Sequence, residues 1–395
     1  METYEILRIL AIIILSAKLV SIIAKKCKSP GVVGEIIAGL IIGPSFLHIL
    51  EPNDFINQMA EIGVIMIMFS AGLETNLKEL KKSGLKALLI ACAGVFVPLV
   101  GGTLLYMAIN GFAPWGSDDF FKALFIGCIM TATSVGITVE TLREMGYLKG
   151  RVGQTILSAA IIDDVIGIIV LTFVLGFKDP TSNPLTVTFK TFLFLILSLV
   201  CGVIIYKIVK VIDARYPHTR RIPIISLGIC FIIAYIAERY FGIADITGAY
   251  IAGIVLCNIK DADYIDRKVS INSYMIFAPI FFVAIGLKTD LTNIDTSMLF
   301  FSVMFVLVAM ITKVIGCGLM AKGLKFKWAD CLKIGVGMMT RGEVALIITN
   351  KGLNLGIIDS SYFTAVILLI IISSISVPIL LKILYSKSPE TEMIN

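Results

Sequence analysis

The sequence predicts an all-α polytopic membrane protein with 13 transmembrane helices, arranged as an inverted-topology repeat. Three observations carry this prediction. Of 395 residues, 57% are hydrophobic and only 16% charged, a balance that soluble domains of this length do not reach. The apolar residues fall in runs of about 20, the length at which a helix crosses a bilayer. Glycine-containing stretches recur at one fixed offset in the two halves.

Taken in order, the predicted spans are 4–24, 31–48, 55–73, 84–109, 119–142, 151–177, 187–210, 222–241, 243–259, 269–288, 296–321, 329–350 and 361–385. The first reads as a helix and not as a cleaved leader, because Glu2 and Glu5 precede it and Lys25, Lys26 and Lys28 follow it. The connections after the odd-numbered spans 1 to 11, with the tail, hold 24 Lys and Arg, and the other connections hold three, Lys178, Lys288 and Lys351. Basic residues stay on the cytoplasmic side, so the N-terminus is expected outside and the C-terminus in the cytoplasm of a multi-pass cell-membrane protein. The net charge of +6 then anchors the chain against lipid. Spread over seven segments, it makes no patch for nucleic acid.

The eight Cys stand singly, without a CxxC or Cys/His cluster, so neither a disulfide framework nor a structural metal site is expected; no cofactor is expected either. His48 and His218 lie near span ends with no plausible partners, and no nucleophile motif appears. An enzyme is therefore not expected.

Gly34-Glu35-Ile36-Ile37-Ala38-Gly39 in span 2 parallels Gly248-Ala249-Tyr250-Ile251-Ala252-Gly253 in span 9, 214 residues later. Gly72-Leu73-Glu74-Thr75-Asn76-Leu77 parallels Gly286-Leu287-Lys288-Thr289-Asp290-Leu291 at the same offset. Copies seven spans apart cross in opposite directions, as in secondary transporters. Spans 1–6 then match 8–13, with span 7 between them.

Two corresponding spans are interrupted by polar residues, Thr131-Ala132-Thr133-Ser134 in span 5 and Thr340-Arg341-Gly342-Glu343 in span 12. Such breaks in both halves point to discontinuous helices whose ends and freed carbonyls can hold an ion. Arg341 and Glu343 can meet there or cap the half-helices, or play a purely structural part.

Span 6 carries Asp163 and Asp164 about a dozen residues from its cytoplasmic end, close to mid-membrane at 1.5 Å per residue. A charge at that depth costs about 2.5–3.5 kcal/mol or more, and two adjacent acids add their repulsion. Neighbours on a helix point roughly 100° apart, so the two need not share a role. Lys313 is the only Lys deep in a span of the second half, and a buried ammonium wants a carboxylate. Carboxylate, hydroxyl and carbonyl oxygens from Asp163, Asp164, Thr131, Thr133 and Ser134 suit a hard monovalent cation such as sodium. Protons compete for the same carboxylate oxygens. A carrier that reorients only when occupied would then be an antiporter. Glu61, and Glu238 with Arg239, read instead as packing or interface charges, while Glu35 and Glu140 lie where water reaches them.

The Ala160-Ile161-Ile162-Asp163-Asp164 run, the Thr131-Ala132-Thr133-Ser134 break, Lys313, Thr340-Arg341-Gly342-Glu343 and the Gly34–Gly39 helix together resemble the cation:proton antiporter superfamily, within it the NapA-type sodium/proton antiporters. The resemblance implies the sodium/proton antiporter fold, with two crossed discontinuous helices and elevator-like alternating access. It also implies a homodimer. Dimerisation helices would fall in 1–82 and 222–294, core transport helices in 83–186 and 295–395, and a linker helix in 187–221. Asp164 would match the main ion-binding acid and Asp163 the one paired with Lys313. Thr131 and Ser134 would lie at the crossing, with Glu343 near the site. Exchange would be electrogenic, two protons for one sodium ion.

Other classes fit less well. The absence of a GxGxxG following a strand disfavours the glutathione-gated potassium efflux relatives, which carry a nucleotide-binding domain, while a potassium/proton antiporter without that domain stays open. A channel would need a symmetric filter sequence, and none is found. A sodium-coupled organic-solute symporter could share the architecture, yet two acids and a lysine line an apolar solute poorly.

Overall fold

Long apolar runs form helices here because hydrocarbon offers backbone N–H and C=O groups no partner, so each segment must satisfy its own. The computed structural model describes residues 2–27, 29–75, 77–176, 184–216, 218–288, 298–359 and 361–388. Lys28 and Lys178, used above for orientation, fall outside them.

The described residues form sixteen α-helices: α1 (Thr3–Lys26), α2 (Gly31–Ile42), α3 (Asp54–Leu73), α4 (Leu77–Asn110), α5 (Asp118–Ile129), α6 (Val135–Glu144), α7 (Arg151–Gly176), α8 (Pro184–Arg215), α9 (Arg221–Ile236), α10 (Asp245–Leu256), α11 (Ala262–Asn272), α12 (Ala278–Leu287), α13 (Leu299–Gly323), α14 (Trp328–Gly337), α15 (Glu343–Asn354) and α16 (Tyr362–Lys387). Short π-helical stretches, Ala237–Phe241 and Ser273–Phe277, extend α9 and join α11 to α12. Nine helical stretches among the described residues are long and apolar enough to cross a membrane.

The remaining predicted spans are shorter or divided. Span 2 ends as a helix at Ile42, where Gly43 turns extended ahead of Pro44. Span 9 keeps only Asp245–Leu256 as helix. Spans 5 and 12 each become two half-helices, α5/α6 and α14/α15, divided at the polar residues.

Two packed groups position the site. In one, α3 packs on α10 and α12, α2 on α1 and α12, and α9 on α10. In the other, α4 packs on α5, α7 and α13, and α13 on α14 and α16. Between the groups α6 touches α2 and α3, while α16 touches α2. The helix α8 lies against both α7 and α10 and exposes Phe189, Phe192, Ile196, Val200 and Val203.

The repeated glycines explain the first group. A Cβ on Gly39 would lie 2.1 Å from the Val283 carbonyl oxygen, and one on Gly286 would lie 2.3 Å from that of Ile36. Likewise Gly72 faces Tyr250 and Gly253, and Gly253 faces Phe69 and Gly72. Under the 214-residue shift, Gly39 becomes Gly253 and Gly72 becomes Gly286. The α2–α12 crossing is therefore the same contact as the α10–α3 crossing, made once in each direction. Missing side chains let these backbones approach closely, which is how helices associate without a hydrophobic drive.

The ends of the bundle differ. One, the lysine-rich end, carries the C-termini of α1 and α6 and the turns at 145–150 and 257–261. At the opposite end, Pro52, Asn57, Glu61, Glu238, Asp245 and Lys288 rim a cavity of about 570 Å³ that runs inward to Phe281, Ile370 and Gly342. Glu61 and Glu238, which the sequence reads as packing or interface charges, thus line a cavity. The hydropathy of their helices could not reveal an opening that forms only where α3, α10, α12 and α16 diverge.

Candidate ion-binding site

Non-helical backbone survives at membrane depth only where protein covers it or a cavity meets it. Both breaks meet that condition by bonding to each other. The Ser134 amide donates to the Thr340 carbonyl at 2.8 Å. Thr138 Oγ1 donates to the Gly337 carbonyl at 2.9 Å and lies 2.9 Å from Thr340 Oγ1. The next residue continues the seam, with the Arg341 amide bonding Ser373 Oγ at 3.0 Å and its carbonyl accepting from Ser374 Oγ at 3.2 Å. A Cβ on Gly342 would sit 2.6 Å from Ser134 Oγ, so a side chain here would press on Ser134 where the two interruptions meet.

Where α5 stops, its last carbonyls lose their intrahelical donors and carry the negative end of the helix dipole. Two buried cations occupy that end. Arg341 donates through Nη2 to the Met130 carbonyl at 2.6 Å and through Nη1 to Thr133 Oγ1 at 3.3 Å. Lys313 spends all three ammonium protons, on the carbonyls of Thr131 (3.0 Å) and Gly94 (2.7 Å) and on Asp163 Oδ1 (2.7 Å). The other carboxylate oxygen of Asp163 accepts from Thr133 Oγ1 at 2.7 Å. Asp163 is 1% exposed and Lys313 fully buried. Such a pair holds together because each charge would be stranded without the other.

Helix α7 carries the acids. Asp163 lies 12 residues from Arg151, about 18 Å along the axis. Asp164 is buried less deeply, at 8% exposure. The Thr131 hydroxyl bonds back to the Cys128 carbonyl at 2.8 Å, so what this residue offers the site is its carbonyl. Ser134 Oγ is buried without a hydrogen-bond partner among the described residues. Glu343 opens α15, but its side chain lies outside what is described.

Gly94 was not singled out by sequence reasoning. A Cβ there would lie 2.8 Å from Cys317 Sγ, 3.1 Å from Asp163 Oδ1 and 3.3 Å from Lys313 Nζ. The available signal was the run Ala91-Cys92-Ala93-Gly94, a strip of small residues on a long apolar helix. Facing it, Gly316 packs on the Ala93 carbonyl, and together they draw α13 close enough for Lys313 to reach across.

The expectation that His218 lacks a partner is overturned. Its Nδ1 lies 3.2 Å from Asp261 Oδ1, and its amide donates to Oδ2 of the same carboxylate. The partner stands 43 residues away in the α10–α11 turn, a separation that spacing along the chain does not expose.

Residues 11–387 match the family described as "Sodium/hydrogen exchanger, transmembrane". The chain is 36% identical over 378 residues to the Na(+)/H(+)-K(+) antiporter GerN of Bacillus cereus, covering 94% of each. It is 32% identical over 388 residues to a Na(+)/H(+) antiporter of Enterococcus hirae, covering 96% of this chain and 97% of the relative. Its fold resembles that of the sodium proton antiporter MjNhaP1 from Methanocaldococcus jannaschii, with a TM-score of 0.71 at 22% identity, covering 98% of this chain and 97% of that one.

Proposed function

Because the chain belongs to the sodium/hydrogen exchanger family, we propose that it exchanges sodium, or lithium, for protons across the cell membrane by alternating access. The observation that carries this reading is the buried Asp163–Lys313 pair beside two helix breaks that hydrogen-bond to each other.

Asp164 is the main carrier in this scheme, one residue beyond the pair. A desolvated sodium ion needs several hard oxygens. The Asp164 carboxylate, the unpartnered Ser134 hydroxyl, the Thr133 hydroxyl and the Thr131 carbonyl supply them. A proton on either acid removes the charge that holds the ion, so each cargo expels the other. When sodium draws on Asp163, Lys313 gives up its proton; with the proton that leaves Asp164, two protons depart for each sodium ion bound, and the two half-cycles differ by one net charge. Exchange is accordingly electrogenic.

The moving body comprises α4–α7 with α13–α16, and the second group, α1–α3 with α9–α12, remains still and pairs with a second copy as a homodimer. The separate packing of the two groups and the exposed apolar faces of α1 and α8 support this division. With 13 membrane crossings, counting α5/α6, α11/α12 and α14/α15 once each, the N-terminus lies outside and the lysine-rich end faces the cytoplasm. The cavity then opens outward.

Potassium/proton exchange is the second reading, supported by the name of the Bacillus cereus relative. Proteoliposomes loaded with a pH-sensitive dye test both. Sodium or lithium should drive proton efflux, and Asp164→Asn should abolish it. Full cation-driven flux in that variant would overturn the proposal, and a response to potassium alone would select the second reading.

A further inference from the structure

The last turn of α6 is built in a way that the chemistry of the crossing does not require. Glu144 closes this helix, where a carboxylate faces the negative end of its own helix dipole. It is instead well placed for a different helix. Both its oxygens accept from the Gly31 amide, at 3.1 and 2.8 Å, and Gly31 opens α2. The positive end of α2 and the Lys25 ammonium, 2.8 Å from Glu144 Oε1, therefore surround an acid supplied by the other helix group. Gly31 also leaves the room. A Cβ there would lie 2.6 Å from Ser21 Oγ and 3.2 Å from Glu144 Oε1.

Arg143, beside it, fastens the same turn to α3. Its guanidinium donates through Nη2 to the Ile67 carbonyl at 3.4 Å, lies 3.7 Å from Glu74 Oε2, and bonds Glu140 of its own helix at 3.0 Å. At its other end, α6 begins next to Ser134 of the first break. A single ten-residue half-helix thus joins the candidate ion site to these contacts, and they sit at the bundle end opposite the cavity.

We propose that Glu144 is a latch that holds the α4–α7/α13–α16 body against α1–α3 in the cavity-open state and must release before the site can face the lysine-rich end. This rests on the alternating-access reading above. The acid contributes nothing to ion coordination. It sets how often the loaded carrier turns over and which side it prefers.

The test compares wild type with Glu144→Gln, which keeps the size of the side chain and removes its charge. Hydrogen–deuterium exchange is followed in detergent and reconstituted protein. The variant should exchange at least about tenfold faster over residues 31–42 and more slowly over cavity segments 57–64 and 281–288, as the population moves to the alternate state. The apparent sodium affinity measured from the lysine-rich side should rise at least about threefold. Faster exchange confined to 31–42, with the cavity segments and sidedness unchanged, would overturn the latch and leave only a local contact. If Glu144→Gln fails to fold, Lys25→Met at the exposed partner should give the same pattern with smaller amplitude, and an unchanged pattern there also overturns it. A wild-type protein that moves no protons would refute the transport reading while the exchange data still decide on the latch.

Discussion

Replacing Lys313 by methionine keeps most of the apolar stem and deletes the ammonium. The structure gives the consequences. The Gly94 and Thr131 carbonyls lose their donor, and among the described residues Asp163 keeps only Thr133 as a donor, at 2.7 Å. Stranding one member of a buried pair costs about 3–5 kcal/mol. Asp163→Asn should cost less, about 2–3 kcal/mol, because the ammonium retains two carbonyl acceptors. In the double variant neither member of the pair is stranded, Arg341 keeps its bonds to the Met130 carbonyl and Thr133, and the remaining loss is that of the two carbonyl bonds, about 2–3 kcal/mol. The cycle therefore predicts that the singles together exceed the double by at least about 2 kcal/mol. Unfolding of purified protein by SDS titration in mixed micelles, read by circular dichroism, measures each value. Additivity to within about 0.5 kcal/mol would show that the two groups do not sense one another, and the pair would lose its place in the account.

Gly94→Ala should lower stability by about 1–3 kcal/mol through overpacking and slow exchange as well, since the added methyl presses on Cys317 and Asp163; thermal melting and dye-based flux report the two. Gly39→Ala should be worse, because the obstruction is backbone at 2.1 Å, whereas Gly228→Ala, with open space around it, should be neutral or stabilising by up to about 1 kcal/mol. Arg341→Lys cannot span Met130 and Thr133 together, so it should cut cation-driven flux at least about tenfold with the fold retained by circular dichroism. Neutralising Glu61 and Glu238 should leave maximal flux unaltered and raise the sodium concentration needed from the cavity side, increasingly so at low ionic strength; no salt-dependent change would remove them from the entry path.

Residues that carry a cost in lipid could be read from the chain. Asp163, Asp164 and Lys313 stand out because hydrocarbon penalises them, and the polar breaks because they interrupt runs that are otherwise apolar. The repeat was visible in its glycines, and its reciprocal contacts are where those glycines meet. Gly94 stayed hidden, since a small residue facing a polar atom looks the same in sequence as one facing another helix. Glu144 and its bond to Gly31 span 113 residues, and the His218–Asp261 pair joins two turns. Neither follows from periodicity, which describes single helices and not how their ends meet. The cavity was equally illegible, being a property of diverging helices and not of any one segment.

Displacement of protons by the cation is the central claim, and it can be measured without transport. Purified protein in weakly buffered detergent solution should release on the order of one proton or more per sodium ion bound, with heat and pH followed together, and Asp164→Asn should release far fewer while binding sodium weakly. Sodium binding with no proton release in the unaltered protein would contradict the account.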